Sequence, residues 1–225
     1  MSSGVKVLYF GIYNPDYPRN RLFLKGLRAN GVAVSECNAR GRGFYKYLKL
    51  IWRHFLLKNQ YDVMFVGFPG QPAMLLARKL TKKPIVFDTF LSLYDSEVFD
   101  RKTVSPASPE AMRLFKLDQT ACQLADLVLV DTEAHLEYFA SFFHLPREKF
   151  RRIFVGTDDQ LFRPAAKKTP GFVVYVHGKY IPLQGIDNVV QAAVLLQSYP
   201  ITFRVLGRGQ EYARISRVVS EFGLG

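Results

Sequence analysis

The chain has 225 residues, 48% of them hydrophobic, and 31 Lys and Arg against 19 Asp and Glu give it a formal net charge of +12. That length suffices for one large domain, or for one domain and part of a second, and the charge points to phosphate-rich partners without separating nucleic acid, anionic lipid and nucleotide sugars. No apolar run reaches the roughly 18–20 residues a spanning helix needs, and two cysteines, Cys37 and Cys122, behind an N-terminus unlike a signal peptide argue against a disulfide framework and suit a reducing cytoplasm.

Residues 5–10 (VKVLYF) form a short buried strand leading into GIYNPDYPRN, a loop with Gly11, Pro15 and Pro18. A helix then runs from near Arg19 to the stop signal Asn30-Gly31. Strand, loop and helix at the start of an α/β chain put this loop at the carboxyl edge of a sheet, where ligands sit. Tyr17 and Arg19 are therefore candidates for contacting an acceptor or a donor phosphate; a plain loop is the alternative.

Residues 32–37 are a second strand. The segment from Arg40 to Lys58 then carries six Lys or Arg, and no acid stands between Glu36 and Asp62. Phe44, Leu48, Ile51 and Phe55 fall on one helical stripe, which Tyr45, Trp52 and Leu56 widen. Two readings stay open. In one, this stripe packs on the sheet beneath a basic outer face. In the other, the basic, aromatic helix lies in a membrane interface, with Lys46, Lys49, Trp52 and Arg53 contacting an anionic surface.

Strands follow at 61–67 and 84–87, separated by a loop and a helix closed by lysines. The second of them leads into DTFLSLYDSEVFDRK, where Asp88 and Asp95 are candidate site carboxylates; a helix cap or a surface turn is the alternative. Ser108-Pro109-Glu110 starts a helix that reaches about Leu124, 125–130 (ADLVLV) is a central strand, and Asp131 or Thr132 caps the next helix. His135 and His144 have no Cys or acid cluster at ligand spacing, so no metal site is expected. Residues 151–155 close a parallel, doubly wound sheet.

A second βαβ unit occupies 172–209: a strand at 172–177, the loop GKYIPLQG from Gly178 to Gly185, a helix with Ile186, Val189, Val190 and Ala193 on its inner stripe, and a strand at 201–206 ending in GRGQE. Glycines permit close backbone approach, first-turn helix amides suit an anion, and Lys179 adds a full charge. An ordinary βα loop with a solvated lysine would read the same way.

Three segments together, GKYIPLQG, VGTDDQLFRP at 155–164 and VLGRGQE at 205–211, resemble the group 1 (family 4-like) retaining glycosyltransferases. The resemblance implies the GT-B type of α/β fold, with one Rossmann-like acceptor-side domain over 1–164 and the first βαβ part of a donor-side domain over 165–225. It implies transfer of a sugar from a nucleotide-diphosphate sugar to a glycan or lipid-linked acceptor, with retention and without a cofactor or a metal. No nucleic acid partner is expected, since no recognised motif or aromatic-lined platform stands out beside the charge, and the expected location is the cytoplasm or the cytoplasmic membrane face.

In that family two basic residues of the loop hold the donor diphosphate. Their positions are Lys179 and Gln184 here, so one cation is missing. Gly11, Gly178 and Gly207 join Lys179 and Gln184 as implied donor-binding residues, and Asp88 stands at the strand end where the family often has a histidine facing the sugar. The family's paired-glutamate motif and base pocket have no counterpart before EFGLG, which leads to the expectation of an inactive isolated chain. A non-catalytic nucleotide-sugar or membrane-binding module, or one half of a split enzyme, is the alternative.

Overall fold

The structure is a computed structural model and describes residues 4–41, 43–164 and 170–224. It divides into two compact units: Met1–Tyr94 with Pro106–Arg163, and Asp95–Ser105 with Pro164–Gly225. The second unit thus takes in Asp95–Ser105 as well as the C-terminal segment.

The first unit is built on a six-stranded, wholly parallel sheet in the order β2-β1-β3-β4-β5-β6. Its strands are β1 (Lys6–Gly11), β2 (Ala33–Asn38), β3 (Val63–Val66), β4 (Ile85–Phe90), β5 (Leu127–Val130) and β6 (Phe150–Arg152). Helices α1 (Pro18–Ala29), α2 (Tyr45–Leu57), α3 (Gln71–Leu80), α5 (Pro109–Leu124) and α6 (Glu133–Phe142) alternate with them, and the short α4 (Leu93–Asp95) runs into a π-helical turn at Ser96–Asp100.

Local signals explain the boundaries. The Ser108 hydroxyl accepts from the Ala111 amide and that of Thr132 from the His135 amide, so each hydroxyl satisfies a donor of the first helical turn. Near-continuous apolar strands make one side of the sheet bury Leu8, Phe10, Met64, Val66, Phe87, Val128 and Val130, while the other buries Val7, Tyr9, Phe65 and Leu129. Strand β6 is shorter than expected, because the ladder ends at Arg152 and leaves Ile153, Phe154 and Val155 exposed.

Helix α2 lies opposite to one of its two readings. Phe44, Tyr45, Leu48, Ile51, Trp52, Phe55 and Leu56 are all exposed, and the helix buries Leu50 and His54 instead. A polar residue on the inner stripe is tolerated because the His54 ring is hydrogen-bonded to the Tyr61 hydroxyl, 2.9 Å away. The broad aromatic stripe therefore does not cover the sheet.

In the second unit, β7 (Phe172–Lys179) and β8 (Ile201–Arg208) form a parallel pair. Helices α7 (Ile186–Leu195) and α8 (Tyr212–Glu221) pack on them around Tyr180, Ile186, Val190 and Ile215.

Candidate functional site

In the first unit the strand order reverses at β1, which has β2 on one side and β3 on the other. Such a switch point opens a crevice at the carboxyl ends of the strands. The loops after β1 and β3 and the end of β4 meet there, bringing Tyr17, Phe68 and Phe90 together with ring centroids 5.2–5.4 Å apart in sequence along the cluster. Asn20, a fully buried residue with no motif to announce it, holds the loops in place. Its amide donates to the carbonyls of Phe68 (2.6 Å) and Asn14 (3.1 Å), and its carbonyl accepts from the Tyr9 hydroxyl (2.8 Å).

Arg19 and Asp88, 69 residues apart, form a buried pair at this edge, 7% and 0% exposed. The Arg19 Nε donates to both carboxylate oxygens at 2.9 and 2.8 Å, and Nη2 donates to Oδ1 at 2.7 Å. Burial pushes the Asp88 carboxyl above its usual range, against the opposing pull of the guanidinium. Here the structure departs from the expectation of a site carboxylate at the strand end facing the sugar, since Asp88 has both oxygens engaged by Arg19 and no exposed surface. Arg19 is the member of the pair that reaches the crevice.

The guanidinium carbon sits 4.5 Å from the Phe90 ring centroid and 5.2 Å from that of Phe23. Together with Tyr17, Leu22, Ile153 and Phe154, these residues line a pocket of about 290 Å³. Its wall is largely apolar, with one cation held against aromatic faces. Phe90 itself has φ 56°, next to a register shift between Asp88 and Phe90 that turns the strand end. Gly11 ends β1 near the same edge, where its carbonyl accepts from the Ala39 amide.

Asp95 begins the segment counted with the second unit. That segment braces the βα loop: the Leu183 amide donates to Asp100 Oδ1 at 2.8 Å, and the Gln210 amide donates to the Arg101 carbonyl at 3.2 Å.

In the second unit the strand runs two residues further than the expected 172–177, and the loop after it is correspondingly shorter. Gly178 and Lys179 are the last residues of β7, a 3₁₀ turn spans Pro182–Gln184, and Gly185 enters α7 at φ 58°, ψ 35°, a left-handed conformation that glycine adopts without strain. The Gln184 side chain lies over Gly178, so close that a Cβ there would come 3.1 Å from Oε1. Gly207 serves packing: a Cβ would overlap the Gly178 carbonyl and stand 3.0 Å from the Tyr180 ring.

Strand pairing also reveals a cation the sequence reading missed. Lys179 is in register with Arg208 on β8, and both are exposed at the same carboxyl edge. The signal was present, since both end their strands, but only a parallel pairing places them side by side. In the first turn of α7, Asp187 is engaged by Arg214 at 2.8 and 2.7 Å, which holds its carboxyl below the usual range.

No family model matches the chain, and comparison with curated proteins finds no match in sequence. Among solved structures, it superposes on Anabaena Alr3699/HepE, solved with UDP, with a TM-score of 0.59 at 17% identity, over 98% of this chain and 66% of that one. The lipopolysaccharide outer core galactosyltransferase WaaB gives 0.59 at 10% identity, over 97% and 65%. S. aureus TarM, solved with fondaparinux, alpha-GlcNAc-glycerol and UDP, gives 0.56 at 14%, over 80% and 35%. The chain thus has the mostly parallel, Rossmann-like α/β fold of the GT-B type, with a second, small two-stranded sheet, and spans about two thirds of the length of HepE and WaaB.

Proposed function

We propose that the chain takes part in glycosyl transfer from a nucleotide-diphosphate sugar to a glycan or lipid-linked acceptor, with retention of configuration. The observation that carries this reading is the pair Lys179 and Arg208 at the carboxyl edge of β7 and β8, beside the glycine-bounded loop and the N-terminus of α7. Two cations and a helix N-terminus neutralise a diphosphate, and in transfer they stabilise the charge that grows on it as the sugar leaves. Arg208 restores the positive charge that Gln184 does not provide. In the first unit, the pocket over Arg19 is the acceptor site of this reading; Tyr17 lines it, and Asp88 fixes the guanidinium rather than touching the acceptor.

Calorimetry with a panel of nucleotide-diphosphate sugars, free nucleoside diphosphates and monophosphates tests it. Binding should require the diphosphate, and Lys179→Gln and Arg208→Gln should each weaken it about tenfold, as expected for loss of one charge-assisted contact. Absence of binding across the panel, or binding indifferent to both substitutions, would refute the site. A second reading, binding without turnover, is favoured by the uncharged Gln184 lying over Gly178. Release of free nucleoside diphosphate in the presence of sugar acceptors separates the two.

A further inference from the structure

Seven large apolar side chains are exposed on or beside α2: Phe44 66%, Trp52 62% and Phe55 63%, together with Tyr45, Leu48, Ile51 and Leu56. At 3.6 residues per turn they occupy one arc of roughly 140°. Isolated exposed apolar residues are ordinary, but a contiguous patch of this kind marks a surface built for contact.

The charges around the patch say what covers it. Lys49 and Lys58, both exposed, fall on its two margins, and Arg40 stands exposed on the approach to the helix. Lys58 lies 4.4 Å from the Phe55 ring centroid, along the border of the patch. Lys46 and Arg53 are half-buried on the flank beyond Lys49; Arg53 is committed to the Asn38 carbonyl, so it braces the helix on β2 instead of serving as a free contact. No acid occurs between Glu36 and Asp62. An apolar arc with cations on both borders and no anion complements one kind of surface, an apolar interior beneath negatively charged headgroups, and lysines at the margins can extend their stems along the patch while their ammonium groups stay in water. No helix among the described residues is long and apolar enough to cross a membrane, so the contact is interfacial.

We propose that the outward face of α2 docks the chain on an anionic lipid bilayer, with Phe44, Trp52 and Phe55 inserted at the headgroup boundary and Lys49 and Lys58 on the headgroups. This goes beyond the transfer reading and stands or falls independently of it.

Trp52 is the single tryptophan of the chain, so its emission reports on this surface alone. The full chain is titrated with vesicles of phosphatidylglycerol and phosphatidylcholine, and with phosphatidylcholine alone. The expected result is a blue shift and quenching by brominated acyl chains with the anionic vesicles only. Partitioning should weaken roughly fivefold for each of Lys49→Gln and Lys58→Gln, as for removal of one headgroup charge, and should fall in high salt. Phe44→Ser/Phe55→Ser, at exposed positions that leave the fold intact by circular dichroism, should abolish the shift. Unchanged emission, an equal shift with neutral vesicles, or a lipid-free blue shift that reverts on dilution, as for burial against a second copy, would each overturn the proposal.

Discussion

The two units dispose of the charged groups at their sheet edges in opposite ways. In the first, Arg19 and Asp88 are buried together at the sheet edge, and only one side of the guanidinium, framed by Phe23 and Phe90, borders the pocket. In the second, Lys179 and Arg208 stand exposed at the ends of a two-stranded sheet, and the buried positions nearby belong to Tyr180, Ile186, Val190 and Ile215. The difference follows from core size. A six-stranded sheet covered on both faces has a deep interior in which a hydrogen-bonded ion pair can be held, whereas a two-stranded sheet with two helices has only a thin core and keeps its charges at the rim. At the sheet edge of the first unit charge is thus locked into a buried pair, whereas at that of the second Lys179 and Arg208 stay exposed.

Breaking the buried pair should therefore have the largest effect on stability. Asp88→Ala leaves Arg19 buried without its carboxylate and should destabilise the first unit by about 3–5 kcal/mol, read as a shift in the denaturant midpoint. The double variant Arg19→Met/Asp88→Leu should regain most of that loss, since apolar replacements need no partner. If Asp88→Ala folded as stably as the parent, the view of this pair as a structural lock would fail. The second unit has a different weak point. Gly207→Ala puts a methyl against the Gly178 carbonyl and the Tyr180 ring, and should cost about 1–3 kcal/mol, seen as lost hydrogen-exchange protection confined to β7 and β8.

These sites also mark how far the sequence could be read. Near-continuous apolar runs and cap residues were enough for the order of strands and helices, because Ser108, Thr132 and the apolar stretches VKVLYF and ADLVLV act through local rules. Three features were not legible, each for a physical reason. Arg19 and Asp88 meet across 69 residues, and nothing in the spacing of either predicts the other. Arg208 becomes a neighbour of Lys179 only through the register of a parallel pair. Helix α2 has two stripes that both contain apolar residues, and the stronger one was read as a candidate for the inside, although the helix turns in the stripe whose histidine finds the Tyr61 hydroxyl.

The open rim of the second unit can be tuned in the other direction. Gln184→Lys adds a cation to a loop already flanked by Lys179 and Arg208, and its side chain already reaches across Gly178. Affinity for a nucleoside diphosphate should rise by about fivefold, with a steeper dependence on salt than in the parent chain. The matching change in the first unit, Tyr17→Phe, keeps the ring against Phe68 and alters only the hydroxyl, so diphosphate affinity should stay the same within error. A loss of diphosphate binding in that variant would show that the division of roles between the two units is drawn in the wrong place.

The smallest expected effect concerns His54, the polar group on the buried side of α2. Burial, with Lys58 and Lys83 adding to it, holds its imidazole below the usual range. The sign follows from proton counts: as pH falls through the usual imidazole range the unfolded chain takes up a proton that folded His54 resists, so the unfolded state gains and stability drops. That contribution is fully present above the ordinary imidazole pKa and is lost on acidification. Between about pH 7.5 and 5.5 the melting temperature should decrease by about a degree or two more in the parent than in His54→Phe, which has no proton to take up. The substitution also removes the hydrogen bond between the Tyr61 hydroxyl and the ring, which lowers stability by the same amount at every pH in this range and so displaces the curve without changing its slope. Slope and displacement are separable in one set of melts, and an equal slope in the two proteins would mean that the inner face of α2 opens to water far more readily than the packing of Leu50 and His54 implies.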